Sequence, residues 1–148
     1  MPAAFNGNIC PNTNEGGDLG VAGKQWRGLT GKSRFIVKNA GASVSGHRIL
    51  TTDSSGQVIY ADAGTVAHAN RIIGMATQAA GAGEALLVQT EGEHDEPSWS
   101  WTPGDRLYLG TNGAIQSTAP ASGFVCQIGW AETATKVVIQ IGQSLVLA

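Results

Sequence analysis

Apolar and polar positions alternate along this chain in short runs, and turn residues separate the runs. The clearest case is Pro103-Gly104-Asp105-Arg106-Leu107-Tyr108-Leu109-Gly110-Thr111-Asn112-Gly113-Ala114-Ile115. Residues 106–109 are an aliphatic and aromatic run that suits a pleated, half-buried surface. Thr111-Asn112-Gly113 tolerates positive φ, the usual chemistry of a hairpin turn. Ala114 and Ile115 begin the return strand, and Pro103-Gly104 punctuates the approach. The same arrangement occurs earlier, in Gly46-His47-Arg48-Ile49-Leu50, then Asp53-Ser54-Ser55-Gly56, then Val58-Ile59.

The resemblance between these stretches predicts an internal duplication. Gly46 matches Gly104, Arg48 matches Arg106, Ile49 matches Leu107 and Leu50 matches Tyr108. Gly56 matches Gly113, and Val58 matches Ile115. Further on, Ile73-Gly74-Met75-Ala76 matches Ile128-Gly129-Trp130-Ala131, and Leu87-Val88-Gln89 matches Val138-Ile139-Gln140. Order is kept throughout, so we expect two similar β units, roughly 42–92 and 100–147, closing on each other.

Taken in order, residues 33–38 predict the first strand, and 49–52 with 57–60 a hairpin. Residues 61–70 are Ala-rich and accommodate a helical turn. Strands are expected at 71–77 and 85–91. A solvated acidic loop, Glu93-His94-Asp95-Glu96-Pro97, should follow. Ser98-Trp99-Ser100-Trp101 alternates, which places both tryptophans on one face of an extended segment. The second unit predicts strands at 106–109, 114–117, 124–131 and 136–143, with 145–147 trailing. In all, about eight to ten short, mostly antiparallel strands are expected, closed into a small β-barrel. Its core should contain Ile49, Ile73, Val88, Leu107, Ile128 and Ile139.

Residues 1–32 show no periodicity, and Gly and Pro interrupt every potential element. The chain therefore divides into an irregular N-terminal arm, 1–32, and a β-barrel domain, 33–148. Ordering each residue costs about 1–2 kcal/mol of backbone entropy. Burying Phe5, Ile9, Trp26 and Leu29 returns about 1.5–3 kcal/mol each. The arm is thus expected to hold a fixed path only against a partner, with Phe5, Ile9, Trp26 and Leu29 as anchors. Lys24, Arg27, Lys32 and Arg34 would orient it on an acidic surface.

Composition supports an all-β domain with many turns. Of 148 residues 21 are Gly, and only 14% are charged. A net charge of −2 does not call for nucleic acid as a partner. No apolar run approaches the ~20 residues of a membrane helix, and the first residues lack the pattern of a signal peptide. Cys10 and Cys126 are too few for a disulfide framework; free thiols are the favoured reading, with one bridge as the alternative.

Catalytic chemistry is not legible. His47, His68 and His94 have no partners at metal-ligand spacing. Gly28-Leu29-Thr30-Gly31-Lys32-Ser33 ends like a phosphate loop, but its glycine spacing is wrong and a strand follows where a helix is needed. The carboxylates of 91–96 are too close in sequence to be a tuned acid–base pair. The expectation is a non-enzymatic chain with no cofactor and no metal.

The repeated Gly-Asp with its apolar pair, at Pro103-Gly104-Asp105-Arg106-Leu107-Tyr108, and the two apolar-Gly-X-Ala segments resemble the small capsid decoration, or head cement, proteins of tailed phages. The likeness extends to Gly46-His47-Arg48-Ile49-Leu50 and Leu86-Leu87-Val88-Gln89-Thr90-Glu91-Gly92, and covers about 42–148. It implies a virion structural protein on the outer capsid surface, forming a homotrimer and bridging subunits of the major capsid protein, with neither nucleic acid nor membrane as partner. The arm residues Phe5, Ile9, Lys24, Trp26, Arg27, Lys32 and Arg34 are the candidate partner contacts. Similar units suit a head-fibre or tail-fibre tip that binds a host receptor or glycan, with Trp99, Trp101 and Tyr108 as exposed stacking platforms.

Overall fold

Turn chemistry and alternation produce ten strands in a computed structural model that describes residues 33–148. They are β1 (Arg34–Asn39), β2 (Ile49–Thr52), β3 (Val58–Tyr60), β4 (Ile72–Ala76) and β5 (Ala85–Asp95) in the first half. The second half holds β6 (Arg106–Leu109), β7 (Ile115–Gln116), β8 (Phe124–Ala131), β9 (Lys136–Gln140) and β10 (Ser144–Val146). A 3-10 turn at Val66–His68 occupies the Ala-rich stretch, as expected. The predicted turn residues adopt positive φ: 48° at Asn112, 71° at Gly113 and 77° at Gly56.

All the strand ladders are antiparallel, in the order β3-β2-β4-β5-β9-β8-β6-β7. Read inward from either end, the order is the same: hairpin partner, first strand, third strand, fourth strand. The duplication is therefore present in the topology. β1 adds to β5, and β10 adds to β8. The sheet curls into a half-barrel, and turn backbone bridges its two ends. Ile49 N–H donates to Gly113 O at 2.8 Å, Gly113 N–H to Ala61 O at 2.6 Å, and Ala63 N–H to Gly110 O at 3.0 Å.

The two units share one irregularity. Leu50 pairs with Gly74 but Thr51 with Ile72, which leaves Ile73 as the extra residue of a β-bulge. Leu107 pairs with Gly129 but Tyr108 with Gln127, which leaves Ile128 in the same position. The Ile-Gly-X-Ala motif is thus a bulge signature. Its Gly is needed because the neighbouring strand passes close: a Cβ on Gly74 would overlap Gln89 O, and one on Gly129 would overlap Val138 O. Its Ala N–H donates back to Arg48 O in one unit and to Asp105 O in the other.

These hydrogen bonds correct the residue matches read from sequence. His47 N–H donates to Ala76 O as Gly104 N–H does to Ala131 O. His47, not Gly46, is therefore the counterpart of Gly104, and Leu50 is the counterpart of Leu107. The expected matches of Arg48 with Arg106 and of Leu50 with Tyr108 are one residue out of register. Gln89 stands opposite Met75 as Val138 stands opposite Trp130, so the expected match of Gln89 with Gln140 is two residues out. Identities of Gly and Arg drew the sequence alignment, whereas the bulges set the true register.

Two apolar clusters form the core. The main one includes Ile49, Met75, Leu107, Leu109, Phe124, Cys126, Ile128, Val137 and Ile139. The second includes Ala40, Val44, Leu50, Val58, Ala76, Leu86 and Val88. Of the expected core, Ile49, Leu107, Ile128 and Ile139 are buried in the main cluster and Val88 in the second. Ile73 is the exception: it is only partly buried and packs against the second cluster. In β4 the residue buried in the main cluster is Met75, whereas in β8 the matching bulge residue, Ile128, is itself buried there. Cys126 is a buried free thiol, and burial raises its pKa.

Candidate functional site

β1 and its neighbour β5 expose apolar side chains side by side. Ile36 turns inward against the second cluster, so alternation points Phe35 and Val37 outward. Phe35 is 45% exposed, Val37 67%, and Leu87, opposite Val37 on β5, 38%. Among the described residues β1 has β5 as its only strand partner, and the apolar strip runs along it. β10 carries a smaller exposed pair, Leu145 and Val146.

Next to this strip lies an open groove of about 530 Å³, lined among others by Arg34, Glu91, Glu93, Trp130, Glu132 and Gln140. Arg34 is the one candidate contact residue within the described part of the chain. It is exposed on β1, across the ladder from Glu91. The other candidate contacts, Phe5, Ile9, Lys24, Trp26, Arg27 and Lys32, lie outside the described residues, as does Cys10. Lys136 approaches both Glu93 and Glu132 at 3.9 Å. Such solvated pairs contribute little.

The acidic loop expected at 93–97 is not a loop over most of its length. β5 runs on to Asp95 and pairs with β9 from Glu91 through Asp95. Glu91, Glu93 and Asp95 point to solvent, while Gly92 is buried and His94 half-buried. That alternation is present in the sequence, but the density of charge masked it. The segment carrying Trp99 and Trp101, by contrast, lies outside any strand.

The extension of β5 brings together residues that the sequence keeps far apart. His47 Nδ1 lies 2.9 Å from His94 Nε2, and His94 Nδ1 lies 3.0 Å from Gln89 Oε1. On its other side, His47 Nε2 lies 2.9 Å from Glu96 Oε2. Trp99 contacts both imidazoles at centroid distances of 5.8 and 5.7 Å, and meets Trp101 edge-on at 6.0 Å. Both indoles pack against the main core. Trp99, Trp101 and Tyr108 are therefore half-buried rather than exposed platforms; among the described tryptophans Trp130 is the most exposed, at 37%, and it lines the groove.

Burial, followed by the His47 charge, lowers the His94 pKa. Hydrogen bonds from Ser98 hold the Glu96 carboxyl below the usual range, and the two histidines lower it further. Among the described residues no three His, Cys, Asp or Glu side chains are grouped to hold a metal ion, and no helix is long and apolar enough to cross a membrane. Compared with protein-family models and with curated proteins, the chain matches neither any family nor any individual protein.

Proposed function

We propose that this chain is a non-enzymatic structural protein of a virion. It decorates the outer surface of a phage capsid, bridges subunits of the major capsid protein and associates with itself as a homotrimer. The resemblance of its repeated motifs to head cement proteins brings the reading in. The observation that carries it furthest is the apolar strip Phe35, Val37 and Leu87 on the edge strand β1. An edge strand with an apolar face can accept a partner strand, which satisfies its backbone groups and buries its side chains together. Covering the exposed parts of these three side chains is worth roughly 3 kcal/mol in all.

The double substitution Phe35→Asp with Val37→Asp tests this. It removes two of the three side chains, about 2 kcal/mol, and should weaken attachment of the labelled protein to undecorated capsids about 30-fold. Its urea unfolding midpoint should stay near the wild-type value, because both side chains already face solvent. Unchanged attachment would remove the strip from the interface. Deleting residues 1–32 should also weaken attachment.

A second reading, a fibre tip that binds a glycan, is favoured by Trp130. Its indole lies in a groove with Glu91, Glu93 and Gln140, which offers a stacking face flanked by hydrogen-bonding groups. Glycan retention that survives deletion of 1–32 and is lost in Trp130→Ala would support that reading instead.

A further inference from the structure

Three hydrogen bonds run in series through two imidazoles, from Glu96 to His47 to His94 to Gln89. Both ends of the series are acceptors. The Gln89 amide is oriented by its nitrogen, which donates to Glu93 O at 2.9 Å and Glu91 O at 3.4 Å, so its oxygen faces His94. Glu96 presents one carboxylate oxygen to His47, and its other oxygen accepts from Ser98 N–H at 3.0 Å. Three bonds between two terminal acceptors require three N–H protons, whereas two neutral imidazoles carry only two. The series is complete when the pair holds one added proton. With none added, one bond has no hydrogen. With two added, an N–H of His47 points at an N–H of His94.

The backbone adds an independent observation. His47 has φ 60°, a left-handed conformation that favours glycine. Its counterpart in the second unit is Gly104, with φ 92°. The first unit thus accepts strain to place an imidazole where the second has no side chain, and strain of this kind gathers at functional positions.

We propose that His47, His94 and Glu96 form a pH-sensitive latch. It holds the segment carrying Trp99 and Trp101 against the His47 turn of the first unit while the histidine pair shares a single added proton. The surrounding charges fit this arrangement. Asp95 flanks His94 on β5, and Arg48 follows His47 in a pocket that both line with the two tryptophans. Lys136, across from Asp95 on β9, lies nearest Glu93 and Glu132. Burial disfavours charge on His94, and the Glu96 carboxylate stands 2.9 Å from His47.

The pH dependence has a definite sign. The unfolded chain protonates His94 near its ordinary 6.5, and the folded chain resists, so stability falls as the pH drops below that value. Glu96, with a lowered pKa, adds a further loss below its ordinary 4.5. Stability contributed through His94 and Glu96 is therefore present near neutral pH and is lost in acid. The series itself is fully bonded only with one added proton and loses a bond with none or with two.

The test is urea unfolding of the full chain across about pH 4.5 to 9, comparing wild type with His47→Gly. The Gly variant keeps the turn, as Gly104 does in the second unit. The unfolding constant of the wild type relative to the variant should pass through a minimum within this range, where the series holds one added proton, and rise about fivefold to tenfold in acid, where it holds two. His68 is present in both proteins and cancels in the ratio. Imidazole ¹⁵N spectra of the wild type give a second readout that does not require the variant to fold. They should show one shared proton, and His94 should take up a second only in acid. A pH-independent ratio, or two rings that titrate separately at ordinary values, would overturn the latch.

Discussion

Gly129→Ala should abolish folding or lower stability by about 4 kcal/mol, near the upper end of single-residue effects. The reason is contact rather than conformational preference alone. The methyl group would enter the carbonyl oxygen of Val138 on β9, at the step where β8 carries its bulge. Relief requires β8 and β9 to separate, and both strands contribute to the main core. Gly74→Ala should behave alike against Gln89 O, because the same bulge recurs in the first unit. Gly56→Ala and Gly104→Ala provide the contrast. Both positions have positive φ but open space around them, so each should cost only about 1–2 kcal/mol. Denaturant unfolding of the four variants checks the ranking.

The second large effect belongs to Phe124, the biggest fully buried side chain of the main cluster. Phe124→Ala should cost about 3–5 kcal/mol, as expected when an aromatic leaves a cavity in a packed core. Its backbone N–H already donates to Ala63 O at 2.9 Å, across from the first unit, so the surroundings have little room to collapse. The loss should appear in a single transition. Strand β2 gives Ile49 to one cluster and Leu50 to the other, and β4 divides Met75 and Ala76 in the same way. Tryptophan fluorescence and far-ultraviolet circular dichroism should therefore coincide in urea. Separate midpoints would mean that the clusters unfold independently.

Much of this architecture is legible in the sequence, because its signals are local. The hairpin around Asn112-Gly113 and the paired Ile-Gly-X-Ala segments are short patterns with direct structural meaning. The all-β fold and the two units in common strand order follow from them. Register was not legible, since a bulge shifts pairing by one residue without altering the apolar pattern at Ile73 or Ile128. The face on which Phe35 and Val37 emerge depends on which side of β1 the second cluster occupies, and that is set by Leu86 and Val88 far along the chain. The histidine series was beyond sequence reasoning. His47 and His94 meet only because β5 continues through a charged stretch that looks like a loop. The available clue was the alternation of Glu91, Glu93 and Asp95 with Gly92 and His94.

The latch and the docking strip lie on different parts of the chain, so they can fail separately. A protein that loses attachment in the Phe35→Asp, Val37→Asp variant should retain the pH profile of its unfolding. His47→Gly should attach normally at neutral pH unless the tryptophan segment is itself a contact. The central claim, the proposed structural role on the outside of a phage head, is tested most directly by immunogold electron microscopy of phage particles assembled in cells that express this chain. The account predicts gold distributed over the surface of the capsid, and gold confined to the tail tip or absent from the particle would contradict it.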